Sequence, residues 1–349
     1  MTVLREDTGA DAFSLTVIIP TMNQADLLDR CLDHLVQQTD QDFTLIVVND
    51  GCTDDTEARV RERAFPFPTT ILSVNNGGPA RARNLGVFLS SSSWVAFLDD
   101  DVVPDPTWTA AIREHAGEAD VLIGMTTSTS LAIPSIFSHQ IRVVSPPPGP
   151  FPSCNFAARR SLFDRFGGFD TAFIYPAFED TDWSVRIRTM GVEPGFIPAM
   201  RVDHPPRPST YASHLRRIRY QASAVRYAVK HRKIGALFGL TDVMQYVGGV
   251  GSAVFFDTLA MWPFLVLYAL GLYVRTADFL KVRSYTPRQA LMALTLPLLT
   301  PWLKILVFIR AALTPRTWKD VSGAHPTASE RIGPLPAEAR LATPPIRAE

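Results

Sequence analysis

This 349-residue chain has little cysteine: Cys31, Cys52 and Cys154 are an odd number at wide spacing, with no CxxC pair. That excludes a disulfide framework and a thiolate metal site, and it fits a reducing compartment. Net charge is also lacking, with 34 Lys plus Arg against 34 Asp plus Glu, so global charge gives no argument for a nucleic-acid partner. The first thirteen residues hold no apolar run, so no cleavable signal peptide is expected. No GxGxxG follows the first strand-like run, which removes a dinucleotide-dependent oxidoreductase, and no internal repeat is evident.

What is present alternates between two periods. Residues 15–20, 43–48, 69–74, 94–98 and 120–123 are short, β-branched and apolar, as expected of strands covered on both faces. Segments 24–38, 54–63 and 79–89 between them read as helices; Leu28, Cys31, Leu32 and Leu35 share one face. Alternating strand and helix predicts an α/β fold, a Rossmann-like and mostly parallel sheet with right-handed crossovers and flanking helices. Ligands bind such sheets beyond the carboxyl ends of the strands, so the loops there are where chemistry is expected.

Three of those loops are polar: Pro20-Thr21-Met22-Asn23, then Asn49 to Asp55, then Asp99-Asp100-Asp101. Residues 53–55 suit a turn and a helix cap. The acidic triple is harder to account for, because adjacent carboxylates repel unless a cation neutralises them or water solvates them. If the strand continued, Asp99 and Asp101 would point the same way, and hard oxygen ligands at that spacing suit Mg²⁺ or Mn²⁺, which can hold a diphosphate. A solvated loop is the alternative reading.

The order VIIPTMN, VVNDGCTDDT, NNGGPARARNLG, FLDDDVVP, NFAARRSLFDRFGGFD and FEDTDWSVRIRTMG resembles the family 2 glycosyltransferases of the GT-A fold, over roughly residues 15–205. The resemblance implies a metal-dependent, inverting transfer of one sugar from a nucleotide-diphosphate sugar, with UDP, GDP or dTDP all compatible, to a hydroxyl acceptor on a glycan or lipid-linked molecule. It implies that Asp50, Pro20, Thr21 and Asn23 line the nucleotide pocket, with Arg83 and Asn84 near the phosphates. Asp99 and Asp101 match the outer acids of the DxD motif, with Asp100 between them at the nucleotide, and His204 matches a further metal ligand of some relatives. Asp180 matches the general base of the ED motif beside Glu179; Gly168, Asp182 and Trp183 match positions near the acceptor. QxxRW, which holds growing polymers in processive relatives, is absent, so polysaccharide synthesis is not expected. Two rival functions stay open: a catalytically lapsed nucleotide-sugar-binding scaffold, and a sugar-nucleotide phosphohydrolase.

The expected organisation is a tail over 1–14 and a catalytic domain over 15–210. That domain divides into a nucleotide half, 15–125, and an acceptor half, 126–210, with a proline-rich seam at 145–152. A basic and hydrophobic helical region follows over 211–313, and a disordered tail over 314–349. The bases Arg216, Arg217, Arg219, Arg226, Lys230, Arg232 and Lys233 follow one another without an acid, and 253–274 and 289–309 are long apolar runs. Charges and prolines interrupt those runs, which favours interfacial or re-entrant helices over clean spans; a soluble helical pair is the alternative. The region 234–312 is accordingly expected to meet anionic lipid, with the catalytic domain at the cytoplasmic face of the cell membrane.

Overall fold

The computed structural model describes residues 12–128, 151–206, 210–233, 240–256, 258–280, 287–313 and 331–347. Its centre is a mixed sheet built from β1 (Leu15–Thr21), β2 (Thr44–Asp50), β3 (Thr69–Val74), β4 (Trp94–Leu98), β5 (Val103–Pro104), β6 (Val121–Thr127), β7 (Asn155–Arg159), β8 (Gly195–Asp203) and β9 (Arg340–Ala342). Across the sheet the order is β5-β8-β6-β7-β4-β1-β2-β3-β9. Strands β4, β1, β2 and β3 run parallel, as the sequence periods predict. Antiparallel β7 is inserted between β4 and β6, and β8 then pairs parallel with β6.

Side chains on each strand alternate between two apolar layers. Trp94, Ala96 and Leu98 of β4 face one cluster with Leu28, Leu32 and Leu35 of helix α1 (Ala25–Val36) and Ile112 of α4 (Trp108–His115). Val95 and Phe97 face the other, an aromatic cluster of Phe156, Phe163, Phe169 and Trp183. Helices α2 (Thr56–Glu62), α3 (Pro79–Leu89), α5 (Arg160–Phe166) and α6 (Glu179–Thr189) complete the covering layers. Each central strand is therefore covered on both faces, which explains its continuous apolar sequence.

Three expectations need correction. The tail expected to be disordered is ordered over 331–347, the rest lying outside the described residues: β9 pairs antiparallel with β3, the Phe65 N–H donates to the Pro345 carbonyl at 3.0 Å, and Leu335 and Ala339 pack on the sheet. Pairing at a strand edge uses the backbone, so the tail needed no apolar period to join it. The apolar run 253–274 is not one helix; α9 (Leu240–Val254) and α10 (Met261–Leu280) are separated by a turn, whereas 289–309 lies within α11 (Pro287–Ala312). The basic run, carried by α7 (Tyr211–Arg217), a 3₁₀ turn (Ile218–Tyr220) and α8 (Gln221–Lys230), is partly internal, because Arg226 and Lys230 are buried against Asp170. Residues 145–150 of the proline-rich seam lie outside the described residues. Among the described residues, no helix is long and apolar enough to cross a membrane.

Candidate functional site

Parallel pairing brings the carboxyl ends of β1, β2 and β4 to one edge, and the end of β8 joins them. There they border a cavity of about 540 Å³ whose lining includes Pro20, Thr21, Asp50, Arg83, Asp99, Asp100, Asp101 and His204. The strand does not continue through the acidic triple; β4 stops at Leu98 and the chain turns. Two contacts then sort the carboxylates. The Thr21 hydroxyl donates to Asp100 Oδ2 at 2.8 Å and ties it to β1. Pairing of β5 with β8, Val103 opposite Asp203, carries Asp101 towards His204.

The result is a cluster in which one ligand atom from each of Asp99, Asp101 and His204 lies within 4.8 Å of the others. His204 Nδ1 is 3.7 Å from Asp101 Oδ2, too far for a hydrogen bond, and it is buried without a hydrogen-bond partner. Such an atom is costly unless something not shown occupies its lone pair or proton. Two carboxylates and an imidazole nitrogen fit one divalent cation, so the donor set passes the test that its own chemistry imposes.

Asp50, at the end of β2, also lines the cavity. Its Oδ1 accepts from the Gly77 N–H and its Oδ2 from the Gly78 N–H, each at 2.8 Å. Burial pushes its carboxyl up, and the two amides oppose that. Gly78 has φ of +89° immediately before Pro79 opens α3, a conformation that glycine adopts without strain. The loop after β3 is thereby fastened to β2, and α3 starts at the cavity wall.

Arg83 of α3 bridges the two acidic groups. Its Nη2 donates to Asp99 Oδ1 at 2.6 Å and its Nη1 to Glu179 Oε1 at 3.0 Å. Burial works against the guanidinium charge, but Asp99 and Glu179 outweigh it and raise its pKa. Burial likewise pushes Glu179 up to about 7, helped by the charge of Asp180 and opposed by Arg83. Asp180, at the start of α6, accepts from the Ser153 N–H at 3.1 Å and the Thr181 N–H at 2.6 Å. Its carboxyl is raised, first by burial; the amide of Ser153 and the charge of Arg83 oppose the shift, and Asp99 adds to it. Neither Asp180 nor Glu179 lines the cavity, but Glu179 is paired with Arg83, which with Asp99 does.

Several expected site residues are placed elsewhere. Trp183 is fully buried, stacks on Phe163 at 4.6 Å and donates to the Gly167 carbonyl, so it is core and not acceptor surface. Asp182 is fully buried among Arg186, Lys230 and His231. Burial pushes its carboxyl up, but the His231 hydrogen bond and the charges of Lys230 and Arg186 outweigh this and hold it well below the usual range. Gly168 packs on Asn84, where a Cβ would lie 2.2 Å from Oδ1. Asn84 itself exchanges two hydrogen bonds with the Phe169 backbone and faces away from the cavity. Asn23 accepts from the Thr53 and Asp54 N–H groups, so it shapes the loop and does not border the cavity. Glu179 serves as a buried partner of Arg83, a positioning role.

The cavity wall also includes Tyr175, Arg219 and Tyr220, which sequence reasoning missed. Tyr175 and Tyr220 stack at 5.6 Å, and the Arg219 guanidinium lies over the Tyr175 ring. Nothing in residues 214–233 distinguishes Arg219, at the cavity, from Arg226, in the core; only the turn between α7 and α8 separates them.

Comparison with known proteins bears on the same segment. Residues 16–174 match the model for Glycosyl transferase family 2. A glycosyltransferase of Haemophilus influenzae is 28% identical over 198 residues, 53% of this chain and 64% of that protein. Validoxylamine A glucosyltransferase of Streptomyces hygroscopicus subsp. jinggangensis is 39% identical over 110 residues, 30% of this chain and 26% of that one. The chain thus spans less than two thirds of the length of these relatives. Among solved structures, the mannosyltransferase PcManGT from Pyrobaculum calidifontis, in complex with GDP-Man and Mn²⁺, is similar at a TM-score of 0.48 and 19% identity, covering 88% of this chain and 87% of that one.

Proposed function

We propose, from the premise that residues 16–174 form a family 2 glycosyl transferase domain, that the chain is a metal-dependent, inverting glycosyltransferase moving one sugar from a nucleotide-diphosphate sugar to a hydroxyl acceptor. The observation that carries the reading is the Asp99–Asp101–His204 cluster, with its unpaired buried Nδ1, at the edge of a cavity that also contains Asp50. Asp99, Asp101 and His204 would hold Mn²⁺ or Mg²⁺, the imidazole favouring Mn²⁺. When bound, the cation supplies charge that neutralises the diphosphate as a leaving group.

The protein's own residues do the rest. Asp50, with the amide-fastened loop at Gly77 and Gly78, forms the nucleotide end of the cavity, beside Pro20 and Thr21. Arg83 holds Asp99 and Glu179 in fixed relation, so α3 and α6 keep their spacing through the reaction. Asp180 takes the acceptor hydroxyl proton; its raised pKa makes it a stronger acceptor than an exposed aspartate. As the bond from the acceptor oxygen to the anomeric carbon forms, the bond from that carbon to the phosphate oxygen breaks, and the nucleoside diphosphate leaves.

The acceptor is a lipid-linked or cell-envelope glycan, met at the cytoplasmic face of the membrane. The apolar helices that follow the catalytic domain support this placement. UDP-, GDP- and dTDP-sugars, each with Mn²⁺ and with or without a membrane lipid extract as acceptor, provide the test. Release of nucleoside diphosphate that requires both metal and extract is expected. Equal consumption without the extract would point to a phosphohydrolase, and binding without turnover to a scaffold.

A further inference from the structure

The helices after residue 239 share one feature: their best-packed sides are internal, and apolar side chains are left on the outside. The seam between α9 and α10 depends on glycine. A Cβ on Gly248 would lie 2.6 Å from the Tyr268 nitrogen and 2.7 Å from the Phe264 carbonyl oxygen. One on Gly251 would lie 2.1 Å from the Phe264 ring. The two backbones therefore approach closely, Tyr246 and Gly249 on another side of α9 meet Trp302 of α11, and among the described residues a third face of α9 is left exposed.

That face is a regular stripe. Val243, Val247, Val250 and Val254 are all exposed, at spacings of four, three and four residues. On α10, Trp262, Val266, Leu270 and Tyr273 are exposed at spacings of four, four and three. The turn that joins the helices is the most exposed part, with Phe256 at 74% and Leu259 at 88%. An apolar stripe on each helix, with the greatest exposure at their turn, is far more than the scattered exposed side chains of an ordinary surface.

Charge decides between occupants. Residues 204–313 hold fourteen Lys and Arg against three acids, Asp242, Asp257 and Asp278. Asp242 is neutralised within the fold by Lys304 of α11, at 3.3 Å. Arg226 and Lys230 are used internally on Asp170, but Arg216, Arg219, Arg232 and Lys233 are exposed. α11 lies against α8 and the 3₁₀ turn, and the Tyr211 hydroxyl is 2.8 Å from Thr295 Oγ1, so hairpin and basic segment belong to one packed unit with the cavity wall at Arg219. Within 240–280 Arg275 stands against those three acids, so the positive charge lies in the basic segment packed beside the hairpin; a second copy of that segment would meet repulsion, and an anionic bilayer attraction.

We propose that the α9–α10 hairpin is a membrane-docking device that enters the interface of an anionic phospholipid bilayer turn first, with Phe256, Leu259 and Trp262 as its leading side chains. The surrounding bases contact lipid headgroups. Such insertion reaches about 5–10 Å, to the headgroup and acyl boundary, and requires no spanning helix. It deepens the proposed function, on which it rests only for the identity of the acceptor, because it would hold the basic cavity wall beside a lipid-borne substrate.

The test is flotation of the full chain with vesicles of phosphatidylcholine alone and of phosphatidylcholine with phosphatidylglycerol. Wild-type protein is expected to float with the anionic vesicles, and the double variant Phe256→Glu, Leu259→Glu to bind them more weakly by about tenfold or more. Thermal unfolding of the variant and its stabilisation by nucleoside diphosphate with Mn²⁺ should match wild type, because neither residue is buried or near the cavity. Failure of wild type to float with either vesicle would overturn the proposal, as would equal flotation of the variant. So would a soluble wild-type dimer that the same double variant dissociates, which would make the hairpin a self-association surface. Loss of sugar transfer with vesicle binding intact would count against the proposed function and leave the docking surface standing.

Discussion

Val17, Ile18 and Ile19 on β1 are entirely out of water, whereas Val247, Val250 and Val254 on α9, no less apolar, face it. The sheet region satisfies its apolar groups by itself, through two layers of helices, and spends its polar groups on an internal cavity. The helical region packs its glycine seam inward and leaves its valines outward. The difference teaches that one part of the chain covers its own apolar surface, whereas the other leaves much of its own in water, the mark of an interaction surface.

The sharpest way to break that division is to remove chemistry and see whether docking follows. Asp180→Asn is expected to lower transfer by about 10²–10⁴-fold, the usual contribution of a general base, while vesicle flotation stays as in wild type. Initial rates and flotation on the same preparation check both. A rate near wild type would remove Asp180 from the role of base.

A second prediction concerns the joint between the regions. Asp182 and Asp170 sit in the sheet domain, and Arg226, Lys230 and His231 come from α8 and its end. Asp182→Ala keeps Asp170 for Arg226 and Lys230 but takes the carboxylate from Arg186 and His231 and one of two from Lys230, and should cost about 3 kcal/mol in urea unfolding. Both carboxyls have lowered pKa values in the folded state: burial raises each, but the partners' charges and hydrogen bonds outweigh it. Their contribution is therefore fully present above the unfolded-chain value of about 3.9 and is lost as pH falls below it towards the folded value. Urea midpoints measured from pH 7 down to pH 3 should fall less steeply in Asp182→Ala than in wild type.

The smallest effect sharpens the contrast most simply. Val247→Glu should change stability by no more than about 0.5 kcal/mol, because the side chain is already in water. Val47→Glu, on β2 in the core, should leave no folded protein, since an unpaired buried carboxylate has no partner there. Circular dichroism and urea unfolding of the pair would show it.

The parts legible in the sequence were those where local chemistry is expensive. Three adjacent acids after an apolar strand demanded a cation or full solvation, and the structure gathers two of them with His204. The parallel core was legible because strands covered on both faces must be apolar throughout. By contrast, β7 and β9 pair through backbone groups that any sequence supplies, and β9 reaches β3 from some 270 residues away. Asp182 and Trp183 were misplaced because an acid and an aromatic in a helix's first turn suit an acceptor site and a core equally well. What decides is α8, some 48 residues on, whose Lys230 reaches Asp182. Arg219 was hidden for the same reason, its position at the cavity being set by a turn and not by its neighbours.

The central claim is that Asp99, Asp101 and His204 bind the cation through which a nucleoside diphosphate is held. Calorimetric titration of UDP, GDP and dTDP into wild type and Asp101→Ala, with and without Mn²⁺, tests it directly. In wild type, Mn²⁺ should tighten at least one nucleotide by about tenfold or more, some 1.4 kcal/mol, and in folded Asp101→Ala it should have no such effect. Equal affinity with and without Mn²⁺ in wild type, or an undiminished metal effect in Asp101→Ala, would contradict the account.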